Sequence, residues 1–308
     1  MFAYVLGLIA GLAQPTQTSI NGSLGAKVKS PYISTLVSFG TAVIILVLID
    51  VLTQGGIHIP FADIAQYPWW IWTGGLCGVG IVVLSIVCLP HIGSAMVVVM
   101  TSFGQIAASL IIDQFGLFES PQISMTVSRA IGALILIGGV ILASRTTSEE
   151  GAAHQQYPPL YMILAFIVGV LCGLQIAING TLGKVAGNSW MGTTISMSVG
   201  FIGTALLIAL LFIARGHNGL FSKGEDIPFK WYMVTGGSMG VIIVGTNAIT
   251  APIIGAGMVS IMNLIGFMIG GLVIDAVGFL GIDKKPVTAI KIIGVLAMIG
   301  GTVVITLL

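Results

Sequence analysis

The stretch from Gln17 to Gly22 reads QTSING, and the stretch from Gln175 to Gly180 reads QIAING. Leu24 and Gly25 extend the match to Leu182 and Gly183 at the same offset of 158 residues. Further along, the offset becomes 162: Thr73, Gly74, Gly75, Gly78, Pro90, Gly93 and Met96 fall on Thr235, Gly236, Gly237, Gly240, Pro252, Gly255 and Met258. The same register carries IIDQFG (Ile111 to Gly116) onto VIDAVG (Val273 to Gly278). It also carries Arg129, Gly132, Gly138 and Gly139 onto Lys291, Gly294, Gly300 and Gly301. Shared apolar composition would align Leu with Ile; it would not align Asp with Asp or Asn with Asn. The chain therefore reads as two homologous halves.

The solvent of those halves follows from composition. The 308 residues are 56% hydrophobic and only 7% charged, with a mean hydropathy of +1.10. So few charges cannot solvate a globular surface, which makes lipid the main solvent. Taking about 20 apolar residues per span places helices near 4–24, 32–52, 70–89, 92–112 and 126–144. A second set falls near 160–182, 190–214, 232–250, 254–274 and 288–308. Pairs of spans meet at Pro90 and Pro252 with almost no loop. Arg145 to Pro159 reads RTTSEEGAAHQQYPP, polar and Pro-terminated, and reads as a linker. The expected organisation is a first five-helix repeat over 1–145, a linker over 146–159 and a second repeat over 160–308. The first apolar run has no Lys or Arg before it and so lacks the basic start of a secretory signal; it reads as a retained helix.

Five is odd, so the second half enters the membrane in the opposite direction and the repeat is inverted. Loop charges give the orientation. Lys27, Lys29, Arg145, Arg215, Lys223, Lys230, Lys284, Lys285 and Lys291 gather on one side, against Arg129 and Lys184 on the other. The positive-inside bias makes the first side cytoplasmic and puts both termini outside. The fold class expected is thus all-α integral membrane, with ten transmembrane helices in an inverted five-plus-five arrangement.

An odd-numbered inverted repeat with ING in the first helix of each half and Asp-x-x-Gly at the end of each fourth helix resembles the drug/metabolite transporter superfamily. Within it, the chain looks like the YdcZ-like branch, whose five-helix domains occur as paired chains or fused in one. The resemblance covers essentially the whole chain. It implies a ten-helix carrier in a bacterial cytoplasmic membrane whose substrate path runs between the halves, and it implies no particular substrate. Small multidrug resistance exporters, another branch, resemble this architecture but carry a Glu in the first helix, where this chain has glutamines and an asparagine.

Polar side chains inside the apolar runs mark the candidate path. Gln14, Gln17, Thr18 and Asn21 recur at spacings of three and four and share one helix face. Cys172, Gln175 and Asn179 form the matching face of the second half. Unpaired carboxamides are costly in hydrocarbon, so these faces look at protein, water or a ligand. Interhelical bonding competes with substrate contact for each of them; Gln17 and Gln175, one turn deeper than the two asparagines, point more to substrate. His91, Ser94, Thr101 and Gln105 make a second stripe, answered by Ser260 and Asn263. Such a site carries donors and acceptors without formal charge and suits a neutral or zwitterionic polar molecule. His91, next to Pro90, reads either as a backbone-bonded helix-start residue or as a proton carrier. Asp113 precedes Arg129 by the same interval as Asp275 precedes Lys291, so each pair can bridge a fourth and a fifth helix, as a gate or as a static anchor.

Other chemistry lacks its apparatus. The 11 Lys and Arg form no stripe that could track phosphates, so nucleic acid is not an expected partner. No Walker loop, HExxH pair or CxxC occurs, the four histidines are dispersed, and Cys77, Cys88 and Cys172 sit in apolar runs as small hydrophobes. No metal and no cofactor are expected, and no enzymatic activity. The function expected is secondary transport of a small polar metabolite or drug-like molecule by alternating access, in the exporting direction, with the bilayer and the substrate as partners. A fused pair supplies both orientations, so a monomer suffices and a homodimer is compatible. A channel, an accessory subunit and an intramembrane lipid-processing enzyme are the rival classes.

Overall fold

The computed structural model describes residues 1–144, 158–216, 220–221, 227–278 and 287–307, without the side chains of Leu89, Pro90, Ser94, Ala95 and Leu307. The linker expected at 146–159 thus lies outside the described residues up to 157. The described residues form helices and no strand: α1 (Phe2–Val28), α2 (Pro31–Gln54), a short α3 (Phe61–Ile64), α4 (Gly74–Phe115), α5 (Val127–Ser144), α6 (Pro159–Val185), α7 (Ser189–Arg215), α8 (Gly236–Val277) and α9 (Ala289–Leu307). Seven helices among these residues are long and apolar enough to cross a membrane. The first limb of α4, Gly74–Cys88, is apolar but shorter. α1 is 27 residues long and owes its lower hydropathy to the turns around Gln14, Gln17 and Thr18.

Capping chemistry repeats between the halves. Ser30 caps α2 through its side chain, accepting from the Ile33 amide at 3.3 Å, and Asn188 caps α7 by accepting from the Trp190 amide at 2.8 Å. Both satisfy amides that have no intrahelical partner. The glycines that end IIDQFG and VIDAVG are left-handed helix terminators, with φ of 60° at Gly116 and 68° at Gly278.

α4 and α8 are each 42 residues long and broken once. The breaks fall at Gly93 (φ 70°, ψ 165°) and Gly255 (φ 80°, ψ 157°), three residues after the prolines at which the spans were expected to meet. Proline keeps an ordinary helical φ, whereas these angles belong almost solely to glycine. At Gly255 the chain folds back. Asn247 and Asn263 stand eight residues to either side of it, yet the Asn263 amide donates to Asn247 Oδ1 at 3.0 Å. A continuous helix would hold them about 24 Å apart. In α4, Gly78 of the first limb meets Gln175 of α6, while Gln105, Ala108 and Ser109 of the second limb meet Gly173, only two residues away. That limb folds back too.

The halves are intertwined. α1 lies along α8, α6 along α4, and α5 along α9. α1 crosses α8 where Gly11 meets Gly266, and α6 crosses α4 where Gly169 meets Gly104. These are equivalent positions of the repeat, and a Cβ on any of the four would overlap the facing backbone. Small residues allow such close crossings in lipid, where packing must replace the hydrophobic effect between helices. α8 is central, with 72% of its span buried, and α7 peripheral, with 17%. The outer faces of α2 and α7 carry exposed Ile44, Leu48, Leu52, Leu206, Leu210 and Ile213, a surface for acyl chains.

Candidate functional site: a polar cavity between the halves

The repeated ING words meet the repeated glycine pairs of the opposite half. Gln17 Nε2 donates to the Gly236 carbonyl at 3.3 Å, and Gln175 Nε2 donates to the Gly74 carbonyl at 3.0 Å. The Asn21 and Asn179 side-chain oxygens rest against Gly236 and Gly74, where a Cβ would displace them. Each first helix of a half therefore grips the start of the third span of the other half. Because a carboxamide facing a carbonyl must present its N–H, both glutamines turn their Oε1 atoms elsewhere.

Between these grips lies a cavity of about 250 Å³. Its polar lining includes Gln14, Gln17, Thr18 and Asn21 of α1, Thr35 and Ser38 of α2, Gln105 of α4, Cys172 and Gln175 of α6, and Asn247 and Asn263 of α8. Phe39, Met197, Ile243 and Val244 supply apolar wall. No charged side chain lines it among the described residues. Seven of the twelve candidate side chains are thus brought to one space.

The others go elsewhere. His91 is exposed, stacked on Tyr161 with ring centroids 3.7 Å apart, and its Nδ1 lies 2.9 Å from the Val87 carbonyl. The Thr101 hydroxyl donates to the Ala165 carbonyl at 3.2 Å across the α4–α6 crossing. Asn179 is fully packed behind Gln175. Ser260 lies beneath the cavity, its hydroxyl 2.6 Å from that of Ser109. The Ser94 side chain lies outside the described residues. The expected stripe His91–Ser94–Thr101–Gln105 is not one continuous helix face, because the break at Gly93 separates its first member from the rest.

Asn247, Thr35 and Ser38 escaped the sequence reading. Asn247 was legible as a lone carboxamide in an apolar run eight residues before Gly255; Thr35 and Ser38 resemble the many helix-bonded hydroxyls of such chains. Asp50 escaped too: fully buried, it accepts from the Thr194 hydroxyl at 2.6 Å and from Gln54 at 3.0 Å.

Both expected ion pairs are formed, in different surroundings. Arg129 donates to Asp113 Oδ2 at 3.1 Å with both side chains buried, and the Gly257 amide donates to the same oxygen at 3.1 Å. Asp113 thereby ties the fold-back of α8 to the start of α5. Lys291 donates to Asp275 Oδ2 at 3.2 Å, but Asp275 is 26% exposed. The end of the bundle holding Asp113 is further closed by Phe118, whose carbonyl accepts from Thr181 and whose ring packs with Ile112, Ala177, Ala251 and Ala256.

Two stretches of the chain, residues 2–142 and 160–304, match the protein family described as "Putative inner membrane exporter, YdcZ". A solved crystal structure described only as that of a protein aligns over 99% of this chain and 96% of its own, with a TM-score of 0.66 at 17% identity, a likeness of fold. A search of curated proteins finds no match.

Proposed function

Because the chain belongs to the YdcZ family of inner membrane exporters, a multi-pass inner membrane transporter family, we propose that it moves a small neutral or zwitterionic polar metabolite by alternating access between two inverted five-span halves. The halves are 1–145 and 160–308, joined by 146–159, and the fold-backs of α4 and α8 bring the crossings to ten. The observation that carries this reading is a polar cavity between equivalent elements of the repeat. Counting from the caps Ser30 and Asn188, Thr35 and Ser38 correspond to Thr193 and Ser196. The first pair lines the cavity, while the second pair is buried and does not. Asn21 lines it; Asn179 does not.

Lys27, Lys29, Arg215, Lys230 and Lys291 all belong to the end of Asp275, by their positions at the ends of α1 and α7, ahead of α8 and on α9. The positive-inside bias makes that end cytoplasmic, so the molecule is inward-open with both termini outside. Asp113 on the α8 fold-back is then the closed outer gate, and Asp275 the inner gate released. Reversal would dock Asp275 on the α4 fold-back and free Asp113.

Proteoliposomes loaded with a cell-metabolite extract test the proposal. Saturable counterflow of one neutral or zwitterionic solute is the expected result. Flux that never saturates would mark a channel, and absence of any flux would overturn transport by the chain alone.

A further inference from the structure

The deep end of the cavity holds polar groups that the protein itself leaves unused. Gln105 is 6% exposed and lines the cavity, and among the described residues no protein group hydrogen-bonds its carboxamide. Asn263 is 1% exposed; its amide is spent on Asn247, and its Oδ1 is buried without a partner. Turning both amides over would only exchange the orphan acceptor for an orphan donor. Directly below, Ser109 and Ser260 satisfy each other and offer no relief. A buried acceptor without a partner, such as Asn263 Oδ1, costs on the order of 1–3 kcal/mol, while the Gln105 carboxamide lines the cavity and is free to bond a ligand or water there.

We propose that Gln105 and Asn263 are the recognition end of the site, and that they select a neutral solute with an adjacent donor and acceptor: an amide, a ureide or a nucleobase. A carboxamide matches such an edge with two parallel hydrogen bonds, as Asn and Gln do with adenine. A net charge placed here would lose its hydration against dipoles alone. The cavity of about 250 Å³ lies below the roughly 300–1,000 Å³ that hold drug-sized ligands, which favours a single small ring or chain. The inference rests on the transporter reading of the same cavity and narrows its substrate from polar to neutral and edge-bearing.

The test uses the purified full chain in detergent, with uracil and nicotinamide as neutral probes and choline and benzoate as charged probes of similar size. Thermal stabilisation by at least one neutral probe and by neither charged probe is expected. Gln105→Leu removes no protein hydrogen bond, so its unliganded melting temperature should stay unchanged while the probe binds about tenfold more weakly, the loss of one to two hydrogen bonds. Gln105→Glu, which keeps the shape but replaces the amide donor, should weaken it similarly. No stabilisation by either neutral probe, stabilisation by the charged ones, or equal affinity in both variants would each overturn the proposal. Failure of transport separates cleanly: Gln105-dependent binding without counterflow sinks the carrier, and counterflow of a charged solute indifferent to Gln105 sinks the recognition end.

Discussion

Asp113 and Asp275 occupy the same place in the repeat, yet one is locked and the other loose. Asp113 is fully buried, holds a buried Arg129 and reaches across to the opposite half; Asp275 holds Lys291 and is partly exposed. Corresponding sites of the repeat thus sit in different surroundings, which on the proposed carrier reading is one latch closed and one released. The locked end also shows why Gly255 is needed twice. Its φ of 80° excludes side chains, and a Cβ would strike Asp113 as well as Ile123.

The sharpest way to break the comparison is to remove each carboxylate charge. Asp113→Asn strands a buried Arg129, which costs about 3–5 kcal/mol for a desolvated pair. Asp275→Asn loosens a partly hydrated pair worth about 1 kcal/mol or less. Thermal unfolding of the two purified variants should therefore differ widely, Asp113→Asn being much the weaker. Equal losses would mean that the two ends are alike in solution.

A second comparison lies in the fold-backs themselves. Where α8 offers Gly257 to Asp113, the repeat register places Ala95 in α4. A Cβ at Gly257 would come within 2.6 Å of Asp113 Oδ2, so a glycine at this position is what lets the carboxylate reach the Gly257 amide. On the proposed carrier reading, that glycine favours the state in which the Asp113 end is closed. Gly257→Ala should raise the population open to the outside, by the roughly 1–3 kcal/mol of a crowded methyl, and Ala95→Gly should do the reverse. Distances between spin labels on α2 and α7, compared across the variants, read the shift; unchanged distance distributions in both would show that the latch does not set the balance.

How much of this was legible beforehand depended on what each feature needs. The all-helical, apolar character and the Asp–cation pairs were readable because hydropathy and helix spacing are local properties. Gln17 and Gln175 were expected to contact substrate; both line the cavity, but their Nε2 atoms serve the backbone carbonyls of Gly236 and Gly74, a bond that no periodicity reveals. His91 misled because its helix face was extended through Gly93, and a single positive φ redirects everything on one side of it. Asn179 does not line the cavity although its equivalent Asn21 does, a difference that two matching sequence words cannot carry. A symmetric sequence cannot announce which of its two ends is shut.

The gentlest probe of the asymmetry is a pair of substitutions that costs the fold almost nothing. Thr35 donates to the Pro31 carbonyl at 2.8 Å and Thr193 to the Ser189 carbonyl at 2.7 Å, the same i to i−4 bond one repeat apart. Replacing either by cysteine loses an interaction worth about 1 kcal/mol or less against a carbonyl already in a helix, so the two variants should melt alike. Their surroundings differ: Thr35 lines the cavity, and Thr193 is 0% exposed under the closed end. In a background with Cys172→Ser, which removes the cavity's own thiol, a charged methanethiosulfonate reagent added to purified protein should modify the Thr35→Cys variant much faster than the Thr193→Cys variant. Gly257→Ala, added to each, should slow the first and quicken the second. Equal rates in the parent background would remove the distinction between an open and a closed end; unequal rates that ignore Gly257→Ala would keep that distinction and detach it from the Asp113 latch.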